Sequence, residues 1–151
     1  IMSLEQTIQK DIMEAMKSHD EVRLNAVRAI KSEILLAKTS GAGSEIGDED
    51  VMKLIRKLIK QRKESAEMYI QGSRKDLADN ELAEAAVMES YLPAQLSEAE
   101  VEAIVKSVIE ETGAKGMADM GKVMGASVKK ADGRADGKTV SAIVKRLLSS
   151  L

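Results

Sequence analysis

Apolar residues return every three to four positions along almost the whole of this chain. The clearest instance is Val101, Ile104, Val105, Val108 and Ile109, an i, i+3, i+4, i+7, i+8 stripe. That spacing lines one face of an α-helix and scatters over both faces of a strand. The residues available for a core agree. Aromatics make up 1% of the chain, two tyrosines with no Phe and no Trp, so an interior must be built from Leu, Ile, Val, Ala and nine Met. Unbranched residues and Ala lose little rotamer freedom in a helix, whereas strands favour aromatic and β-branched side chains. An all-α fold follows, with no strand candidate of any strength.

Seven helical segments can be marked by their stripes and caps. The first runs from about Leu4 to Lys17, with Leu4, Ile8, Ile12 and Ala15 inward. Ser18 and Glu21 make a capping-box pattern for a second, which buries Leu24, Val27, Ile30 and Ile34 and stops in the turn residues 39–44. Asp48 is the expected N-cap of a third helix to about Gln71, with Gly72 as its C-terminal cap. Ser73 and Asp76 resemble a variant box opening a fourth helix that ends near Tyr91. Pro93, the only proline, disfavours helix in the residue before it and sets the expected boundary between a four-helix domain, 1–93, and a small three-helix domain, 94–151. There Ser97 and Glu100 form another capping box, Gly113 ends the fifth helix, and a sixth spans about Ala118 to Lys130. After the loop 131–135, Asp136 caps a seventh helix with Val140, Ile143, Val144, Leu147 and Leu148 inward.

With 44% hydrophobic and 32% charged residues, the chain can both bury a core and solvate its surface. It has no cysteine, which excludes disulfides, thiolate zinc sites and cysteine nucleophiles. No apolar run approaches the roughly 20 residues of a membrane span. The start runs directly into an amphipathic pattern without a signal peptide, so a cytoplasmic location off the membrane is expected.

Net charge is only −2; its distribution says more. From Thr112 to Leu151 there are eight basic and three acidic residues, a local +5. Lys122 and Lys129 lie opposite the apolar face of the sixth helix, formed by Met120, Val123, Met124 and Ser127. Lys138, Lys145 and Arg146 lie opposite that of the seventh. Lys130 ends the sixth helix and Arg134 lies in the loop between the two. The same stretch, Gly113 to Gly137, holds six of the ten glycines. Gly121 and Gly125 fall inside a helix, where each costs about 1 kcal/mol relative to Ala. Tight helix–helix packing is the ordinary compensation; close approach of a phosphate backbone is the sharper one. Together with Gly133 and Gly137, these residues make a modest electrostatic footprint for nucleic acid.

Other patterns fail on their own terms. Gly133 to Thr139 reads Gly-Arg-Ala-Asp-Gly-Lys-Thr, but a phosphate-binding loop needs glycine where Asp132 stands and a strand before it. Asp132, Asp136 and Gly137 suggest a calcium loop, yet its third ligand position is Arg134 and its last is Ile143. Gly41-Ala42-Gly43 lacks the dinucleotide fingerprint. His19 is the only histidine and sits in a polar turn, too little for a triad or a zinc site. No catalytic residue, metal site or cofactor is assigned. The third helix carries Lys53, Arg56, Lys57, Lys60, Arg62 and Lys63 with no acid from Val51 to Lys63. Such a run is ordinarily a solvated face; a second nucleic-acid contact, or pairing with Glu81, Glu84 and Glu89, are the alternatives.

Two blocks carry a resemblance. Ala118-Asp119-Met120-Gly121-Lys122-Val123-Met124-Gly125, followed by Gly133-Arg134-Ala135-Asp136-Gly137, resembles the YqeY-like family. The likeness extends through Glu89 to Ser97 and the Lys60-Gln61-Arg62-Lys63 helix, nearly the full length. The C-terminal module is similar to the tail of GatB, a component of tRNA-dependent amidotransferase, which helps hold tRNA while another domain does the chemistry. The resemblance implies a non-catalytic tRNA-binding accessory protein. Its implied partners are tRNA and an aminoacyl-tRNA synthetase or amidotransferase. Two alternatives stand beside it: carbon–nitrogen ligation with glutamine as amido donor, for which neither an ATP–magnesium site nor a glutamine-hydrolysing nucleophile is visible, and a helical protein–protein adaptor.

Overall fold

A computed structural model of the protein describes residues 1–41 and 45–151. These form seven α-helices and no strand: α1 Leu4–Ser18, α2 Glu21–Thr39, α3 Asp48–Gln71, α4 Lys75–Glu89, α5 Glu98–Thr112, α6 Met120–Ala131 and α7 Gly137–Ser149. The fold is all-α, as the periodicity requires. Ala42, Gly43 and Ser44 of the turn expected after α2 lie outside the described residues. The helices gather into two compact units, Ile1–Leu92 and Pro93–Leu151.

In the first unit α3 packs along α4, α1 against α2, and α2 against both α3 and α4. Ile8, Val27, Ile30, Ile34, Ile55 and Met88 are fully buried at the centre. Each large aliphatic side chain taken out of water contributes on the order of 1.5–3 kcal/mol, so an aliphatic core needs no aromatic. Three caps differ from the sequence reading. Ser18 stays inside α1, its hydroxyl donating to the Ala15 carbonyl. Asp20 caps α2 instead, accepting from the Arg23 N–H at 3.1 Å. The reason is His19, which turns into the left-handed region (φ 56°) and ends α1 one residue later than a Ser18 cap allows. Gly47, not Asp48, is the N-cap of α3. The Asp48 carboxylate is thereby free to accept from the Leu4 N–H at 2.9 Å, joining the start of α1 to that of α3. Ser73 is itself left-handed (φ 59°) and caps nothing; Arg74 opens α4 and chelates Asp76 with two hydrogen bonds. α4 ends at Glu89 rather than Tyr91.

Polar ties complete this unit. Tyr91 donates its phenol proton to Asp11 Oδ2 at 2.5 Å, and Arg23 reaches Asp11 at 3.4 Å. Burial first, then this hydrogen bond to an anion, pushes the Tyr91 phenol far above its usual range and keeps it neutral. Glu84 is buried on α4, accepts from Asn80 at 2.9 Å, and lies 3.4 Å from Arg62 of α3.

The second unit packs α5, α6 and α7 pairwise. Val101, Val105, Val108, Val123, Val144 and Leu148 are among its buried residues. Ser97 and Glu100 form the capping box expected for α5. Gly113 ends that helix in the left-handed region (φ 67°), where a Cβ is strained. α6 begins at Met120, after a 3₁₀ turn over Met117–Asp119, because the Asp119 carboxylate takes the Lys115 N–H and tightens the approach.

Ser127 occupies the buried face of α6 at 1% exposure, and its hydroxyl has no hydrogen-bond partner among the described residues. A buried unsatisfied hydroxyl is costly, and Ser is a poorer helix former than Ala. Ser127→Ala is expected to stabilise the protein by about 1 kcal/mol. Chemical denaturation reads this directly; a lower unfolding midpoint for the variant would mean that the hydroxyl is satisfied.

Candidate nucleic-acid interface

The basic residues of the C-terminal unit sit on α6, α7 and the loop between them. Along α6, Val123, Ser127 and Ala131 point inward, and Met120 and Met124 are partly buried against the same core. Lys122 and Lys129, two turns apart, are exposed on the far side. The helix ends where Asp132 (φ 50°) and Gly133 (φ 75°) both take left-handed conformations. Asp136 then caps α7, accepting from the Thr139 N–H at 2.6 Å. Val140, Ile143, Val144 and Leu148 are buried on α7, leaving Lys138 and Lys145 exposed, also two turns apart.

The cations expected to form one group divide by what they already touch. Lys130 donates to Glu111 at 2.7 Å and to Ser107 at 3.3 Å, both on α5. Arg146 reaches Glu102 of α5 at 3.1 Å, where Lys106 also pairs. The hydrogen bond from Lys130, and then that from Ser107, hold the Glu111 carboxyl below its ordinary range; Lys106, then Arg146, do the same for Glu102. Arg134 is half-buried. Its Nε donates to the Ala94 carbonyl at 3.0 Å, while its own carbonyl accepts from the Leu96 N–H at 2.7 Å, so it fastens the first segment of the unit to the α6–α7 loop. Lys122, Lys129, Lys138 and Lys145 have no ion-pair or hydrogen-bond partner for their ammonium groups among the described residues. Lys115, between Gly113 and Gly116, is a fifth such cation, outside the helix faces because it lies in the segment joining α5 to the 3₁₀ turn.

The glycines correct one expectation. Gly121 and Gly125 do not serve helix–helix packing: both are exposed, and among the described residues a Cβ built on either meets nothing within 4 Å beyond its chain neighbours and its own helix backbone. The same is true of Gly137 at the start of α7. What these positions create is bare backbone beside unpaired lysines, with Gly121 and Lys122 adjacent in sequence. Neither tyrosine lies in this unit. His19 is confirmed as a turn residue at the end of α1. Among the described residues no three His, Asp or Glu side chains gather as metal ligands, and no helix is long and apolar enough to cross a membrane.

The family model described as Yqey-like protein matches residues 5–148. The chain belongs to the YqeY-like family. Among relatives of this YqeY-like chain is a fungal protein named altered inheritance of mitochondria protein 41, mitochondrial. The sequence from Pyrenophora tritici-repentis is 32% identical, covering 95% of this chain and 80% of the relative. That from Lachancea thermotolerans is 33% identical, covering 69% and 57% respectively. The E component of glutamyl-tRNA(Gln) amidotransferase from Thermococcus gammatolerans is 47% identical over 60 residues, 37% of this chain but only 10% of that protein. The likeness to an amidotransferase component is thus supported, through the E component rather than through GatB itself.

Proposed function

We propose that this YqeY-like protein is a tRNA-binding accessory factor without chemistry of its own, which presents tRNA to an aminoacyl-tRNA synthetase or amidotransferase. The observation carrying this reading is the set of exposed lysines on α6 and α7, unpaired among the described residues, beside glycine backbone that no described side chain covers. It stands in a chain that shares 47% identity over 60 residues with a component of glutamyl-tRNA(Gln) amidotransferase. Lysines act on phosphate as point charges, and binding releases counterions, so affinity falls steeply with salt. With no aromatic in the module to stack a splayed base, recognition rests on RNA shape. The compartment we propose is a reducing one, the cytoplasm in the first instance; the fungal relatives carry "mitochondrial" in their names.

Filter binding of bulk tRNA at two salt concentrations tests the reading. Salt-sensitive retention supports it, and salt-independent or absent retention removes it. The same preparation is expected to release no ammonia from glutamine and to amidate no mischarged tRNA. A match over a tenth of the amidotransferase component leaves out most of that protein. Glutamine-dependent product above the no-enzyme control would restore the ligase alternative.

A further inference from the structure

We infer that α3 carries a second RNA-phosphate contact, formed by Lys53, Arg56, Lys57 and Lys60. It rests on the reading that the protein binds tRNA and assigns that RNA a site in the first unit. The six-residue basic run of α3 separates in the structure into two parts. Its C-terminal part is spoken for: Arg62 lies 3.7 Å from Glu81 and 3.4 Å from Glu84, and Lys63 pairs with Glu89 at 2.8 Å. The N-terminal four have no ion-pair partner among the described residues. Apart from Lys17 and Arg28, every other Lys and Arg of this unit pairs with a carboxylate. The unpaired charge is therefore concentrated rather than spread.

The register makes it a stripe. Positions 53, 56, 57 and 60 are i, i+3, i+4 and i+7, one face of the helix over about 10 Å. Val51, Ile55, Leu58 and Ile59 are buried on the other face. Lys53–Lys57 and Arg56–Lys60 are like-charge i, i+4 pairs; Lys53–Arg56 and Lys57–Lys60 are like-charge i, i+3 pairs. Each weakens the helix, and no acid is interleaved to relieve them. The acids of α3 stand at its ends: Asp48, Glu49 and Asp50 in the first turn, Glu64 and Glu67 after the stripe. Lys53 and Lys60, at the ends of the stripe, have acids at helical spacing (Glu49 and Asp50 before, Glu64 after), but Arg56 and Lys57 at its centre have none three or four residues away. Uncompensated repulsion there is the kind of local conflict found where a ligand supplies the compensation.

The occupant is a phosphate backbone rather than a protein. Protein interfaces are anchored by aromatic groups and Arg and are depleted in Lys, and three of these four cations are Lys. No exposed apolar side chain lies between Lys53 and Lys60: Leu54 is half-buried, and Ile55, Leu58 and Ile59 are buried. What is offered is charge alone, spaced along a line.

The test compares four full-length proteins for binding of bulk tRNA across a salt series: wild type, Lys53→Gln/Lys57→Gln/Lys60→Gln on α3, Lys122→Glu/Lys129→Glu on α6, and the combination. Gln keeps helix propensity, and far-UV circular dichroism checks that each variant is folded. Removing three phosphate contacts is expected to flatten the slope of log affinity against log salt by about 2–3, with affinity at low salt falling tenfold or more. The inference is overturned if the α3 variant superimposes on wild type while the α6 variant loses binding; the C-terminal reading then stands alone. If α3 matters and α6 does not, the inference survives and the C-terminal site falls. Wild-type protein without salt-sensitive binding overturns both.

Discussion

Reversing Lys122 and Lys129 together to Glu is expected to lower tRNA affinity by roughly tenfold to a hundredfold at low salt, with the gap closing as salt rises. A lysine near an anionic surface contributes on the order of 1 kcal/mol, and reversal replaces attraction by repulsion at both positions. Among the described residues neither lysine has an ion-pair or hydrogen-bond partner, and both face away from the buried Val123–Ser127–Ala131 side of α6. The variant should therefore fold as wild type does, and its circular dichroism and unfolding midpoint should be unchanged. Reversing Lys130 is a different experiment. It breaks the 2.7 Å pair to Glu111 and sets two carboxylates against each other, so lost binding there has two causes. A Lys122/Lys129 variant that retains wild-type affinity at moderate salt would show that the α6 face is not the site.

Gly121→Ala with Gly125→Ala is expected to separate stability from binding. A glycine inside an exposed helix costs about 0.8–1.0 kcal/mol relative to Ala, and a Cβ at either position meets open space. The double variant should therefore gain about 2 kcal/mol. For a unit of this size each kcal/mol shifts the unfolding midpoint by about 4–8 °C, so the rise should be easy to see. If the glycines are kept so that phosphate backbone can approach α6 closely, the stabilised protein should bind tRNA more weakly. Gly121→Leu should exaggerate the loss of binding without unfolding the unit. A double alanine variant that is both more stable and fully competent in binding would leave the glycines without a role in RNA approach.

Local information decided a good deal. The 3.6-residue stripes, with capping patterns where a stripe is weak as in α4, named the seven helices, and the inward residues of α5 and α7 follow directly from them. The caps at Ser97–Glu100 and Asp136–Thr139, each made by neighbours three residues apart, stand where the sequence placed them. The outward positions of Lys122, Lys129, Lys138 and Lys145 also follow from register, since a core face fixes its opposite. Cap choice was less legible where two polar residues compete. Ser18 and Asp20 are both good N-caps, and the left-handed turn at His19 selected between them.

What only the tertiary structure decided is which charges are already spent. Arg146 meets Glu102 across 44 positions of sequence, and Arg134 reaches the Ala94 carbonyl across 40. No local pattern carries such pairings, because they depend on which helix lies against which. Lys129 and Lys130 are neighbours with the same chemistry, yet one points to solvent and the other to Glu111 on α5. The basic run of α3 divides in the same way, at the point where α4 brings its acids alongside. The glycines, too, carried two meanings until the space around them was known. A missing side chain in a sequence is silent about whether a neighbour fills its place, and at Gly121 and Gly125 none does.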